Sequence, residues 1–321
     1  MALEIPTLRD VFQARKRIAP YLPRTPLFSY PALDGLLGAT VFVKHENHQP
    51  IGAFKVRGGV NLVSQLSAED RSRGVISAST GNHGQSIAYA ARLFGVRAVI
   101  CVPEGANPVK VAAMESLGAE VVAHGRDFDD AREHCEKLAE AEGYRYVHSG
   151  NEPHLIAGVA TSTLEILEDE PGVEAIVAPI GGGSGASGAC IVAKAIDPGI
   201  TVFGVQAAAA PAAYRSWKEG RLVEDRMETY AEGLATRTAF ELPQAILRAH
   251  LDDFVLVSDD EIRRAQSTLI ATTKNLVEGA GAAAFAGALE IRDQLAGKKV
   301  AIVLSGGNAS VKELAQVTAA P

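Results

Sequence analysis

Short apolar runs, continuous rather than alternating with polar residues, recur along the chain with longer segments of helical period between them. They are TVFVK (40–44), GVISA (74–78), RAVICV (97–102), AEVVA (119–123), EAIVAPI (174–180), TVFGVQ (201–206), FVLVS (254–258) and KVAIVLS (299–305). A strand without polar alternation is buried on both faces, as strands of parallel sheets are. Helices are expected at Asn82–Phe94, Asp127–Glu142 and Asp259–Lys274, the last opened by Ser258 with Glu261 three residues on, the pattern of a capping box. Strand, helix, strand in this order gives an α/β fold of largely parallel sheets flanked by helices and joined by right-handed crossovers. Four strands are expected between residues 74 and 148. They suggest a small domain, 73–148, inserted in a larger one built from 1–72 and 149–321.

Composition narrows the classes of function. The 321 residues are 47% hydrophobic, enough for one large core or two smaller ones, and the net charge of −7 with no basic cluster argues against a nucleic-acid partner. The first twenty residues scatter charges and lack the apolar core of an export signal. Gly279–Leu289, the longest weakly apolar run, is far shorter than the roughly 20 residues of a membrane span, so no membrane association is expected. Cys101, Cys135 and Cys190 form no CxxC pattern, and three unpaired thiols suit the cytoplasm. The last strand lies close to the end of the sequence, so no appended regulatory domain is expected. The histidines, among them His45, His48, His124 and His148, show no metal-ligand spacing.

Four motifs carry chemistry. GGGSGASG (181–188) follows a strand and opens a helix expected from Ala186 onward, so its N–H groups and the helix dipole suit a phosphate dianion. The fragment 183–188 also matches GxGxxG, but that dinucleotide fingerprint wants an acid at the end of the next strand, where Gln206 stands. A P-loop would place lysine where Ala186 or Ala189 stands. Lys55 lies in GAFKVRGG (52–59) between Phe54 and Val56, an apolar setting of the kind that lowers an amine's pKa, although most lysines are simply solvated. STGNHGQ (79–85) sits between a strand and a helix. It reads as a cap, and the same free N–H groups can bind a carboxylate while Asn82 offers an amide. SGGN (305–308) ends the last strand, where open parallel sheets bind ligands, and reads equally as a turn.

Taken together, KHENHQPIGAFKVRGG (44–59), STGNHGQ, GGGSG and SGGN, with Arg24-Thr25-Pro26-Leu27 ahead of them, resemble in order and spacing the serine/threonine dehydratase and serine racemase family of fold-type II pyridoxal phosphate (PLP) enzymes. The resemblance implies that Lys55 carries PLP and removes the substrate's Cα proton. It implies that Phe54 packs near the pyridine ring, that Asn82 bonds the ring hydroxyl, and that Gly181, Gly182, Gly183, Ser184 and Gly185 bind the phosphate. It further implies that Ser305 faces the pyridine nitrogen and that Gly233 and Glu278 line the cofactor. Ser79, Thr80, Gly81 and His83 would hold the substrate carboxylate, with Thr80 also a catalytic candidate. A serine opposite the pyridine nitrogen makes the ring a weaker electron sink than an aspartate would, which suits elimination. The implied activity is that of an ammonia-lyase converting a small β-hydroxy amino acid to a 2-oxo acid and ammonia, in a homodimer.

The sequence departs from the family at several points. Gln206 and Ala212 stand where many members place acidic ligands of a divalent cation, so no metal is expected. Thr80 stands where the racemase has a serine, which disfavours racemisation as the main activity. Ala53, Ser184 and Glu232 are milder changes. Threonine and serine are the default substrates, with 3-hydroxyaspartate and phenylserine as relatives. Tyr214 and Trp217 are candidates to line a pocket for a bulkier side chain, with packing as the competing role. Three classes stand against one another: a PLP lyase, with an amino-acid racemase on the same scaffold as its variant; an NAD-binding oxidoreductase built on GSGASG; and a non-catalytic small-ligand binding protein.

Overall fold

The computed structural model describes residues 4–317. In chain order the strands are β1 (Leu27–Ser29), β2 (Thr40–His45), β3 (Val75–Ala78), β4 (Ala98–Val102), β5 (Glu120–Ala123), β6 (Arg145–Tyr146), β7 (Ala175–Pro179), β8 (Thr201–Ala207), β9 (Asp253–Val257) and β10 (Lys299–Leu304). They form a six-stranded sheet of order β1-β2-β10-β7-β8-β9 and a four-stranded sheet of order β5-β4-β3-β6. Every pairing is parallel except that of β1 with β2. The eight apolar runs all became strands. The edge strand β1 was not foreseen, because Phe28 and Ser29 are exposed and its three residues carry no buried pattern.

The expected helices form at Asn82–Phe94, Phe128–Glu142 and Asp259–Thr273. Ser258 Oγ accepts from the Glu261 N–H while the Ser258 N–H donates to Glu261 Oε2 at 2.6 Å, which closes the foreseen capping box. The helix after the glycine run begins at Ser184 rather than Ala186, because Gly183 takes the left-handed turn at φ 89°. Gly185 and Gly188 are therefore helical residues. Gly188 serves packing: a Cβ there would meet Ala160 Cα at 2.8 Å.

The helix Lys55–Val63 is wedged between the helices Asn82–Phe94 and Pro153–Asp169. Its two glycines explain how. A Cβ at Gly58 would stand 2.9 Å from the Leu155 carbonyl oxygen, and one at Gly59 would stand 2.7 Å from that of Ser86. Glycine thus lets three backbones approach closely, and the amine-bearing helix touches both sheets' flanking layers.

The helix Gly279–Glu290 is buried along nearly all its length, and its alanines and glycines bring it close to the six-stranded sheet. A Cβ at Gly281 would lie 2.2 Å from the Gly306 oxygen. Among the described residues no helix is long and apolar enough to cross a membrane. Cys101, Cys135 and Cys190 are buried free thiols. A thiol hydrogen bond joins the first two, far apart in sequence, between β4 and the helix Phe128–Glu142.

Tyr214 and Trp217 line no substrate pocket. Their rings pack against Phe254, with centroids 5.5 and 6.0 Å away, and the Trp217 indole N–H donates to the Leu247 carbonyl. Packing, the competing role, is what the tertiary structure gives them.

Candidate active site

A cavity of about 440 Å³ opens between the two sheets, and every residue that the family resemblance assigned to cofactor or substrate contributes to its wall: Phe54, Lys55, Ser79, Thr80, Gly81, Asn82, His83, Gly181 to Gly185, Gly233, Glu278 and Ser305. The reason lies in topology. β3, β7 and β10 are parallel strands, and the loops at their C-terminal ends converge where such sheets form ligand crevices.

Lys55 opens its helix from a segment pinned to β10. The Phe54 N–H donates to the Ser305 carbonyl at 3.0 Å, and Ala53 bridges Gly306. The Lys55 amine donates to Ser184 Oγ at 2.8 Å and lies 5.3 Å from the centre of the Phe54 ring. Protein surrounds the side chain on all sides but the cavity, and this burial pulls its pKa down from 10.5 to about 8. A free amine is therefore accessible near neutral pH.

The glycine loop joins β7 to the helix Ser184–Ile196, whose first N–H groups have no acceptor within the helix. Its glycines keep a cradle open. A Cβ on Gly181 would stand 2.1 Å from the Gly233 oxygen, one on Gly182 would stand 2.5 Å from the Phe240 ring, and one on Gly185 would touch Phe54 at 3.1 Å. Ser184 hydroxyl, helix dipole and backbone N–H groups form a donor set for an anion with several oxygens. The residues present thus fit a phosphate at the loop and an aldehyde within reach of the amine.

In the loop after β3, Ser79 Oγ accepts from the N–H groups of Gly81 and Gly84 at 3.2 and 2.8 Å, so this side chain braces the loop. Asn82 Nδ2 donates to Glu278 Oε1 at 2.6 Å and Asn82 Oδ1 accepts from Asn308 at 2.7 Å. One amide hydrogen remains for a ligand. Burial raises the Glu278 carboxyl to about 6, opposed by Lys110 and the Asn82 amide. The Ser77 hydroxyl donates to the Val147 carbonyl at 2.7 Å and lies 2.9 Å from His83 Nε2, which fixes that nitrogen as the protonated one. His83 Nδ1 has no partner among the described residues, and burial holds the ring's pKa at about 3, so the ring is neutral. Ser305 is buried, with its hydroxyl 3.3 Å from the Ala280 carbonyl.

Sequence reasoning missed Lys110, Asp127, Phe128, Ser149 and Phe240, which also line the cavity. Lys110 Nζ meets Glu232 Oε2 at 2.5 Å across its mouth, and Arg237 pairs with Asp129 beside it. These groups come from helices, helix starts and loops scattered along the chain, and no spacing pattern marks them as site residues. Gln206, at the end of β8, is buried with Oε1 accepting from the Tyr214 N–H at 3.0 Å, and Ala212 is an apolar buried helix residue. Neither offers a carboxylate, and among the described residues no group of three or more His, Cys, Asp or Glu is placed to hold a metal. The GxGxxG fragment lies almost wholly inside the helix, and Gln206 supplies no acid for a ribose.

Comparison with known proteins agrees with this geometry. Residues 18–306 match the family model described as pyridoxal-phosphate dependent enzyme. The chain is 39% identical to the L-threo-3-hydroxyaspartate ammonia-lyase of Saccharomyces cerevisiae over 97% of this chain and 96% of that one. It is also 39% identical to the L-threonine ammonia-lyase of Thermotoga maritima, over 97% of this chain and 78% of the other. The crystal structure of serine racemase from Dictyostelium discoideum superposes with a TM-score of 0.89 at 35% identity, covering 95% of this chain and 99% of that one.

Proposed function

The chain belongs to the family of pyridoxal-phosphate dependent enzymes, and from that premise we propose that it is an ammonia-lyase acting on a small β-hydroxy amino acid. The observation that carries this reading is the buried Lys55 amine, beside Ser184 at the head of a glycine-lined helix N-terminus. When bound, PLP supplies an aldehyde that takes up the substrate amine and an electron-withdrawing ring that weakens the Cα–H bond.

The chain's own groups do the rest. Gly181 to Gly185 and the Ser184 hydroxyl would hold the phosphate, Phe54 would pack near the ring, and Asn82 and Ser305 would meet its polar groups, with Gly233 and Glu278 in the same wall. Thr80 and the N–H groups of the Gly81–His83 turn hold the substrate carboxylate, His83 through its backbone alone because its ring N–H is given to Ser77, with Ser79 bracing that loop. The freed Lys55 amine takes the Cα proton as a base whose pKa of about 8 suits neutral conditions. The β-hydroxyl departs as water, water is regained when the unsaturated amine hydrolyses, and the net products are a 2-oxo acid and ammonia. Residues 73–148 act as a unit that closes over the substrate, moving against 1–72 and 149–321.

Supporting elimination over racemisation is Thr80, whose branched side chain stands in the loop that faces the substrate. The assembly we infer is a homodimer, in the cytoplasm, in keeping with three unpaired thiols. The test is a panel of threonine, serine, 3-hydroxyaspartate and phenylserine, assayed for 2-oxo acid release and for racemisation. Borohydride treatment and peptide mapping would run alongside. Turnover of at least one substrate with the reduced cofactor on Lys55 is expected. A protein that binds PLP elsewhere, or releases no 2-oxo acid from any of the four, would sink the proposal.

A further inference from the structure

Two basic and two acidic side chains lie buried together around Arg57, two residues after Lys55, and none of them lines the cavity. Lys44 and Glu46 come from the end of β2 and the turn after it, Arg57 from the Lys55 helix, and Glu165 from the helix Pro153–Asp169; each is at most 4% exposed. Arg57 Nε donates to Glu46 Oε2 at 2.7 Å, and Nη2 donates to Glu46 Oε1 and Glu165 Oε2, both at 2.8 Å. Its Nη1 donates to Glu165 Oε1 at 2.7 Å and Thr161 Oγ1 at 3.2 Å. Lys44 Nζ donates to Glu165 Oε2 and to the Thr25 carbonyl, both at 2.7 Å, and Thr25 Oγ1 donates to Glu46 Oε1 at 2.6 Å. The charges cancel, and three of the sequence motifs, RTP, KHEN and FKVR, meet here.

Burying four charges is costly, and a well-packed apolar cluster of the same volume would serve folding at least as well. What the network supplies is geometry, since forked guanidinium–carboxylate pairs tolerate little displacement. Arg57 is two residues after Lys55, in the first turn of its helix. Its partner Glu165 sits on the helix whose Ala160 abuts Gly188 of the phosphate-loop helix. The opposite side of the Lys55 helix touches the small-sheet side, where Ser86 Oγ donates to the Lys55 carbonyl at 2.6 Å. Lys55 therefore stands between two layers, and the ion network ties it to the one that carries the glycine loop.

We propose that Arg57, clamped by Glu46 and Glu165, is a positioning residue that keeps the Lys55 amine in register with the phosphate-binding loop, so that it meets the aldehyde carbon of a phosphate-anchored cofactor. This rests on the reading that Lys55 carries PLP. Phosphate binding and amine capture are then separate properties, and the network governs the second.

Arg57→Lys keeps the charge and removes the fork. The probes are PLP, which bonds to Lys55, and pyridoxamine phosphate, which fills the same cradle but has no aldehyde. We expect the variant to capture PLP at least about tenfold more weakly, the size of one lost charge-assisted bond, while its pyridoxamine phosphate affinity stays within about twofold of wild type. A purely structural role would weaken both ligands alike. Equal weakening, or unchanged PLP capture, overturns the proposal. Should Arg57→Lys fail to fold, Thr161→Val removes one guanidinium contact, together with the hydroxyl's bond to the Gly158 carbonyl in its own helix, and leaves both carboxylate pairs in place. It is expected to weaken PLP capture about threefold, again selectively, and the same two contrary outcomes would overturn the proposal. Failure of the cofactor reading shows itself separately, as wild-type protein that yields no borohydride-trapped adduct at Lys55.

Discussion

Cofactor capture by the apoprotein should rise with pH in a way set by one buried amine. Lys55 loses its proton with a pKa of about 8 because the protein around it, apart from the cavity, cannot solvate the ammonium. At pH 7 about 9% of the amine is then free, against about 0.03% for a solvated lysine of pKa 10.5, an advantage of roughly 300-fold. Between pH 6 and pH 9 the free fraction climbs from about 1% to about 91%. Stopped-flow mixing of apoprotein with PLP, followed at the visible band near about 410 nm, should show the capture rate rising nearly tenfold between pH 6 and 7 and levelling above 8. The same displacement has a stability consequence. Between about 8 and 10.5 the unfolded chain binds a proton that the folded chain does not, so stability of the apoprotein rises with pH across that window. Below it the folded state carries a penalty of at most about 3 kcal/mol. Lys55→Met should therefore stabilise the apoprotein at pH 7 while abolishing capture. A capture rate flat from pH 6 to 9, or still climbing past pH 9.5 as for an ordinary lysine, would refute the reasoning.

Further outcomes follow from single groups. Glu278 is raised from 4.5 to about 6 by burial, so the folded state loses stability as pH climbs through that window. Glu278→Gln keeps an acceptor for Asn82 and should stabilise the apoprotein at pH 7 by up to about 2 kcal/mol, read as a higher thermal midpoint; an unchanged midpoint contradicts the assigned burial cost. Gly181→Ala places a methyl 2.1 Å from the Gly233 oxygen and should cost about 1–3 kcal/mol and weaken binding of pyridoxamine phosphate, which calorimetry would detect. Because Gln206 and Ala212 offer no carboxylate, chelation should leave turnover within about twofold of the untreated enzyme; activity lost to a chelator and restored by magnesium would contradict this. Trp217→Phe should lower stability through the lost bond to Leu247 without altering preference among substrates, and a changed preference would return that residue to the pocket.

The architecture was legible because its strands are short, apolar on both faces and interrupted by helices with capping signals, all of which are local properties. β2, β3, β4, β5, β7, β8, β9 and β10 were each visible in this way, and so was the Ser258–Glu261 box. The edge strand β1 was not, since an exposed three-residue strand exists only because β2 offers it an edge. Lys55, Asn82, Ser305 and the glycine loop were legible as motifs, because a phosphate cradle and a helix N-terminus require particular residue types at fixed spacing.

What only the tertiary structure decided is which residues become neighbours. Lys110 meets Glu232 and Glu165 meets Arg57 across more than a hundred residues of sequence, and no local pattern encodes such a pairing. Tyr214 and Trp217 went to packing for the same reason, since their surroundings come from β9 and the helix Glu241–His250 rather than from their own segment. Sequence sets the period of each element and the chemistry it can offer. Burial, and with it the lowered pKa of Lys55 and the raised pKa of Glu278, arises when distant segments exclude water together, and that is settled only in the folded molecule.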